Sequence, residues 1–349
     1  MFRVNALRTE SVDKERHVYR YGRSGKTRVI VGAAVVAVFA AGLLFVFVNS
    51  SGGETPAEPV RVLKSDADVL TKLALTASGD ALAAASAEGE VIVWRLPGRR
   101  SSNVGKATGF AATVLTWSPD GLLLCGDASG LLRAWQQPEL EGSQIDSPRV
   151  PVTCCAFRQK LARRQMLLGL NDGRIVQLDQ SETTLRDSGH RGVKAMLISR
   201  DQSVLVSAGS EGQLIWYGFD RDSIQGTTAE HDTEVSALAW SPDGTQIVSA
   251  DWNGELRLWN AGTRKLVASA AQPDAVSALA WVGDRLVTGS WDGRIRVWNV
   301  GTKQIELSST IYTGQPIHSL VVDSSGKSAF TVSGDGNIRE WNLKSTTAE

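Results

Sequence analysis

The stretches NGELRLW (253–259) and DGRIRVW (292–298) share one pattern: a small or acidic polar residue, a glycine, four residues of strand-forming character, and a closing Trp. The pattern recurs as EGEVIVW (88–94), SGLLRAW (129–135), EGQLIWY (211–217) and DGNIREW (335–341), and as DGRIVQL (172–178) with Leu in the aromatic place. Its glycines are residues 89, 130, 173, 212, 254, 293 and 336, so the intervals are 41, 43, 39, 42, 39 and 43 residues. Self-similarity at a fixed period decides the fold before any single motif does.

Each copy is preceded by the same order of signals. An alternating run such as VSALAW (235–240, repeated at 276–281) is followed by a turn such as SPDG (118–121 and 241–244) and a second run such as QIVSA (246–250). Period-two alternation suits a strand whose two faces meet different surroundings, and the residue–Gly pair suits a tight hairpin. Each unit is therefore expected to be an antiparallel sheet of three strands plus a linking fourth. A repeat near 40 residues made of four short strands describes a propeller blade.

On these seven units the sequence resembles the WD-repeat (WD40) family over residues 60–345. The resemblance implies an all-β, seven-bladed β-propeller of four-stranded antiparallel blades. It also implies how the ring closes. Trp341 ends the third strand of the last unit with eight residues after it, so the missing fourth strand is expected from Val60, Arg61, Val62, Leu63 and Lys64. In the family a His, a Ser or Thr, an Asp in the hairpin turn and the terminal Trp form a buried hydrogen-bonded set. Here His190 and His231 match the His place, with Glu211 and Tyr217 in one unit and Asn253 and Trp259 in the other, while Asp292 and Trp298 have no matching His. The expectation is that no blade carries the full set and that the ring relies on packing between blades.

The aromatics divide into two groups. Trp94, Trp135, Tyr217, Trp259, Trp298 and Trp341 close third strands, and Trp117, Trp240 and Trp281 close first strands; all are expected in the core. Arg133, Arg257, Arg296 and Arg339 sit two residues before four of the terminal Trp and read as structural. Trp252 and Trp291 are different. They stand two residues before the hairpin glycine, where the other units have Ala87, Ala128, Asn171, Ser210 and Gly334, so the fold asks for nothing large there. In the family this hairpin lies on the face that commonly meets partners, which makes the two Trp the candidate partner-binding residues.

The N-terminal region reads as a membrane anchor. Residues 29–48 form a 20-residue run without a charge, Asn or Gln, and a helix of that length spans about 30 Å, the thickness of a bilayer core. Residues 1–28 carry Arg3, Arg8, Lys14, Arg16, Arg20, Arg23, Lys26 and Arg28, against Arg61 and Lys64 in residues 49–65. That asymmetry expects a cytoplasmic tail at 1–28, a transmembrane helix at 29–48 and the propeller on the non-cytoplasmic side. Ala33, Ala37 and Ala41 recur every four residues and could bring two such helices together. Residues 49–59, NSSGGETPAEP, read as a flexible linker. The Gly25-Lys26-Thr27 step is not a phosphate loop, because Arg20 stands where the first glycine is required.

No nucleic-acid partner is expected, because outside the tail the chain holds 29 basic against 34 acidic residues. No metal is expected either: none of His17, His190, His231 and His318 has a second ligand type at metal spacing. Cys154 and Cys155 are adjacent within PVTCCAF (151–157), a strand in which successive side chains point to opposite faces, so the vicinal disulfide of a quinoprotein-like propeller enzyme is not expected. With no nucleophile elbow or paired carboxylates, no catalytic residue or cofactor is assigned. The sequence thus reads as a membrane-anchored interaction scaffold or accessory subunit. Its rivals are a periplasmic propeller enzyme and a cytoplasm-facing signalling scaffold.

Overall fold

The computed structural model describes residues 54–343, apart from 66, 68, 97–99, 107–108, 137–140, 146–148, 161–162, 179–181 and 230, together with two short strands at residues 35–39 and 42–46. Residues 54–343 form seven four-stranded antiparallel sheets. Blade 1 runs through strands Leu70–Leu75, Ala81–Ser86, Glu90–Arg95 and Arg100–Lys106, and blades 2 to 6 repeat that order along the chain. The first strands of successive blades touch one another all the way round, blade 7 against blade 1 included, so they surround the axis.

The alternation seen in the sequence becomes packing between blades. Along each third strand one face turns to the blade before and the other to the blade after. Trp94 and Trp298 therefore join the clusters between blades 7 and 1 and between blades 5 and 6. Trp135, Trp259 and Trp341 do the same between blades 1 and 2, 4 and 5, and 6 and 7. In blade 3, Leu178 packs against the cluster shared with blade 2. In blade 4 Tyr217 keeps that place, packing half-buried against the cluster shared with blade 3 while its hydroxyl donates to Asp222, and the neighbouring Trp216 is buried on the opposite face in the cluster shared with blade 5, edge-on to Trp240 at 6.4 Å. The sequence motif marks Tyr217 and passes over Trp216, the larger and more deeply buried of the two rings.

Blade 7 consists of Ser319–Val322, Ser328–Val332 and Ile338–Asn342, with Arg61–Leu63 as its fourth strand. Arg61, Val62 and Leu63 pair with Glu340, Arg339 and Ile338, and the Val60 amide donates to the Glu340 carbonyl at 2.8 Å. The Arg61 guanidinium reaches the Glu340 carboxylate at 2.6 Å. Leu63 packs on the cluster between blades 7 and 1, and Lys64 is exposed beyond the strand.

Two N-terminal expectations meet a different structure. Within residues 29–48 the described residues are strands Val35–Phe39 and Gly42–Val46, paired from Val35 opposite Val46 to Phe39 opposite Gly42. A valine-rich apolar run has the composition of strand as much as of helix, and period alone does not separate the two. Ala37 lies opposite Leu44 in that pairing, so the four-residue stripe is not on a helix face here; Ala33, Ala41 and residues 1–28 lie outside the described residues. Among the described residues no helix is long and apolar enough to cross a membrane. The expected linker does not run free from residue 54 onward: the Ala57 amide donates to the Tyr312 carbonyl at 2.8 Å, Glu54 pairs with Arg294, and Pro56 lies against Gly314.

Deleting residues 60–64 leaves the third strand of blade 7 as an open edge and removes the Arg61–Glu340 pair. We expect the melting temperature of the propeller to fall by several degrees, at about 2–4 °C per kcal/mol for a domain of this size. Calorimetry that shows an unchanged transition would mean that Arg61–Leu63 is not what holds the ring shut.

Candidate interaction face

The hairpins between second and third strands, together with the loops that enter the next blade, lie at one end of the ring. Gly254 shows how closely they meet. Its φ is 84°, and a Cβ there would collide with the Gln272 and Asp274 carbonyls of the loop leading to blade 6, so only glycine fits. The Trp252 amide donates to the Glu234 carbonyl and the Trp291 amide to the Ala275 carbonyl, both at 3.2 Å. Each candidate Trp is thus fixed by its backbone to the loop before its own blade.

Beneath the Trp252 hairpin lies a complete hydrogen-bonded set, which corrects the expectation that no blade has one. Asp251 Oδ2 accepts from His231 Nδ1 at 3.0 Å, His231 Nε2 accepts from the Ser249 hydroxyl at 2.6 Å, and Trp259 Nε1 donates to Ser249 Oγ at 2.8 Å. Asp251 Oδ1 takes the Asn253 and Glu255 amides, both at 2.9 Å, which shapes the turn. The sequence motif was read at the residue before the glycine, Asn253; the acid stands three before it, at the end of the second strand.

Blade 4 builds the His–acid–Ser part of the set differently, without the indole N–H that Trp259 adds in blade 5. Gly209 occupies the position of Asp251, and the carboxylate of Glu211 reaches back into the space a side chain at Gly209 would fill, bonding His190 Nδ1. Ser207 Oγ lies 3.0 Å from His190 Nε2. Burial would raise the carboxyls of Glu211 and Asp251, but the His and backbone donors outweigh it and hold both below the usual range. These contributions to stability are present above the ordinary carboxyl range and fade as pH falls through the depressed values. In blade 6 Gln272 stands in the His place, accepting from Thr288 at 2.9 Å, while Trp298 Nε1 donates to Thr288 at 3.1 Å.

Of the four arginines, Arg296 is buried and paired with Asp292, Arg339 pairs with Asp335, and Arg257 pairs with Glu255. His231, Asp251 and Glu255 have ligand atoms within 4.8 Å of one another, but both His231 nitrogens are engaged with protein partners, which leaves none for a cation. Burial lifts the Cys125 and Cys154 thiols to about 12 and Cys155 well above its usual value, so none is a ready nucleophile. All three cysteines are free.

The two Trp picked out in the sequence are brought together, and a third ring joins them. Trp252 is 45% exposed, its ring centroid 6.1 Å from that of Trp291, and Trp291 lies 5.1 Å from His318. Trp252 Nε1 donates to Glu234 at 3.3 Å, and Glu234 pairs with Lys194 at 3.2 Å. His318 Nδ1 donates to the Leu70 carbonyl at 3.3 Å. Burial first, with the nearby Lys72 charge, holds the His318 pKa below its usual value despite opposing pulls from Leu70 and Asp335, so the ring is neutral near pH 7. His318 carried no sequence signal, since its neighbours come from blades 6 and 1, far away in the chain.

Seven four-stranded antiparallel sheets round one axis define the fold as a seven-bladed β-propeller. A family model, the anaphase-promoting complex subunit 4 WD40 domain, matches residues 195–284. The chain is 26% identical over 287 residues to actin-interacting protein 1 of Drosophila melanogaster, covering 77% of this chain and 47% of that protein. It is 22% identical over 271 residues to the SIR4-interacting protein SIF2 of Saccharomyces cerevisiae, covering 72% and 50%. The chain spans about half the length of these two relatives. A chain in the crystal structure of the mitotic checkpoint complex matches with a TM-score of 0.74 and 18% identity, covering 85% of this chain and 97% of that one. The seven sheets and these likenesses together support the WD40 family for this chain, as a seven-bladed propeller.

Ser249→Ala would strand His231 Nε2 and Trp259 Nε1 in a dry interface. We expect a loss of about 2–6 kcal/mol in unfolding free energy, at roughly 1–3 kcal/mol for each buried group left unpaired. Ser325→Ala on an exposed turn should stay within about 0.5 kcal/mol. Denaturant unfolding that finds the two variants equal would refute a structural role for the set.

Proposed function

We propose that the protein is a WD-repeat scaffold that captures other proteins on the face bearing Trp252 and Trp291, and that residues 29–48 hold it at a membrane with the propeller on the non-cytoplasmic side. The observation that carries the first part is the Trp252–Trp291 contact: a large aromatic surface from neighbouring blades, left open at Trp252, where the five remaining blades place small or polar residues. Trp is among the residues most often found at the energetic centre of protein interfaces, because it buries much apolar area with few rotamers to freeze. The names of two relatives, an actin-interacting and a SIR4-interacting protein, are those of proteins that contact proteins.

The anchor rests on the uncharged run 29–48 and the basic residues before it. A lone two-stranded hairpin leaves edge amides and carbonyls unpaired, which lipid does not tolerate, so crossing a bilayer requires this segment to be helical there. Ala33, Ala37 and Ala41 would then share one helix face, where two anchors could meet.

The double change Trp252→Ala, Trp291→Ala is expected to weaken partner capture at least roughly tenfold, about 1.4 kcal/mol, with little change in melting temperature. Capture is read by crosslinking in intact membranes followed by mass spectrometry. Unchanged capture by the folded double variant overturns the face, and recovery of the full chain in the soluble fraction overturns the anchor.

A further inference from the structure

The aromatic row is one side of a larger ring of contacts around the axial opening. From blade 4 to blade 1 the order is Lys194, Glu234, Trp252, Trp291, His318 and Lys72. Their links are the 3.2 Å ion pair, the 3.3 Å hydrogen bond from Trp252, the 6.1 and 5.1 Å ring contacts, and the charge of Lys72 acting on His318. Lys72 stands on the first strand of blade 1 and Lys194 on the first strand of blade 4, both bordering the axis. They are close enough for their charges to repel.

Among the described residues the charges in this ring do not balance. Lys194 has Glu234, and His318 is neutral near pH 7. Asp335, the acid that acts on His318, is committed to Arg339 and Asn337. Lys72 is partly buried and, among the described residues, pairs with no carboxylate. Burial first, then Lys194, pulls its pKa below the usual value, the direction expected of an ammonium short of a counter-charge. An enclosed cation without a partner is unfavourable and gains more from an arriving anion than an exposed one does.

We propose that this opening binds an acidic peptide segment of a partner protein, one Asp or Glu carboxylate entering to meet Lys72 while a neighbouring apolar residue lies on Trp252. The inference rests on the scaffold reading above and adds the chemistry of the partner. A carboxylate fits better than a phosphate. One ammonium lacks one negative charge, and the ring supplies no arginine fork of the kind that favours phosphate. The Trp252 ring beside the opening provides the apolar contact that a single ion pair needs to gain useful affinity.

The test is selection of a random nonapeptide library displayed on mRNA, run against the wild-type propeller, Lys72→Met, Lys72→Gln and the double Trp variant. Peptides from the wild-type arm should share one acidic position beside an apolar one. Chemically made versions with Gln at the acidic position should bind at least tenfold more weakly to wild type, and that difference should vanish in Lys72→Met or Lys72→Gln, whichever keeps the wild-type melting profile. No selected peptides, no acidic position, or an undiminished Glu-to-Gln difference in the folded Lys72 variant overturns the proposal. A phosphoserine version that binds more than tenfold tighter than the Glu version also overturns it, in favour of a phosphopeptide. If the Trp variant loses the peptides while the Lys72 variant keeps them with the same acidic preference, the scaffold reading stands and this inference falls. If neither change matters, both fall.

Discussion

Side-chain packing between neighbouring blades is the constraint on which the rest of this structure depends. A single four-stranded sheet has two apolar faces and cannot bury either alone, so each blade needs a blade on both sides. The chain meets that need with seven clusters, one at each junction, the last joining blades 7 and 1. A terminal aromatic ring, or Leu178 in blade 3, fills the junction with the blade before. Closure then follows from a strand taken from the N-terminal side, because an open seventh blade would leave both an unpaired edge and an unfilled junction.

Polar contacts refine this ring without carrying it. Among the described residues the His–acid–Ser arrangement occurs in blades 4 and 5, and both sit under the same end of the ring as Trp252 and Trp291. There the sets order the loops: Asp251 bonds the hairpin amides that precede and follow Gly254, and Glu211 takes the Arg191 amide at 3.0 Å. Trp252 thus stands on a hairpin tied down by Asp251, the placement that lets a rigid scaffold present binding residues on loops. Residues 54–59 reach the ring at this end too, with Glu54 on Arg294 beside the Trp291 hairpin.

The blade count, strand order, terminal Trp and closing strand were legible because each depends on local period and spacing. What escaped the sequence depends on geometry across blades. Glu211 serving for an Asp at position 209 is visible only when a glycine's empty space and a longer side chain two residues on are seen to coincide. Trp216 adds a second ring beside Tyr217, on the face toward blade 5, and a motif that fixes only the spacing from Gly212 does not single it out. His318 and Lys72 belong to the aromatic row only through blades 7 and 1 meeting, 246 residues apart in the chain. The apolar run at 29–48 is the opposite case: length and lack of charge pointed to a helix, while Val35–Phe39 and Gly42–Val46 pair as strands.

The central claim is that this propeller meets its partners with the hairpin face around Trp252. Site-specific photo-crosslinking tests it most directly, with a benzophenone side chain placed at Trp252 in one version and at Asp243, in an exposed turn at the other end of blade 5, in a second. Discrete crosslinked products from position 252 and none from 243 are the predicted result. Products from 243 with none from 252 would contradict the account.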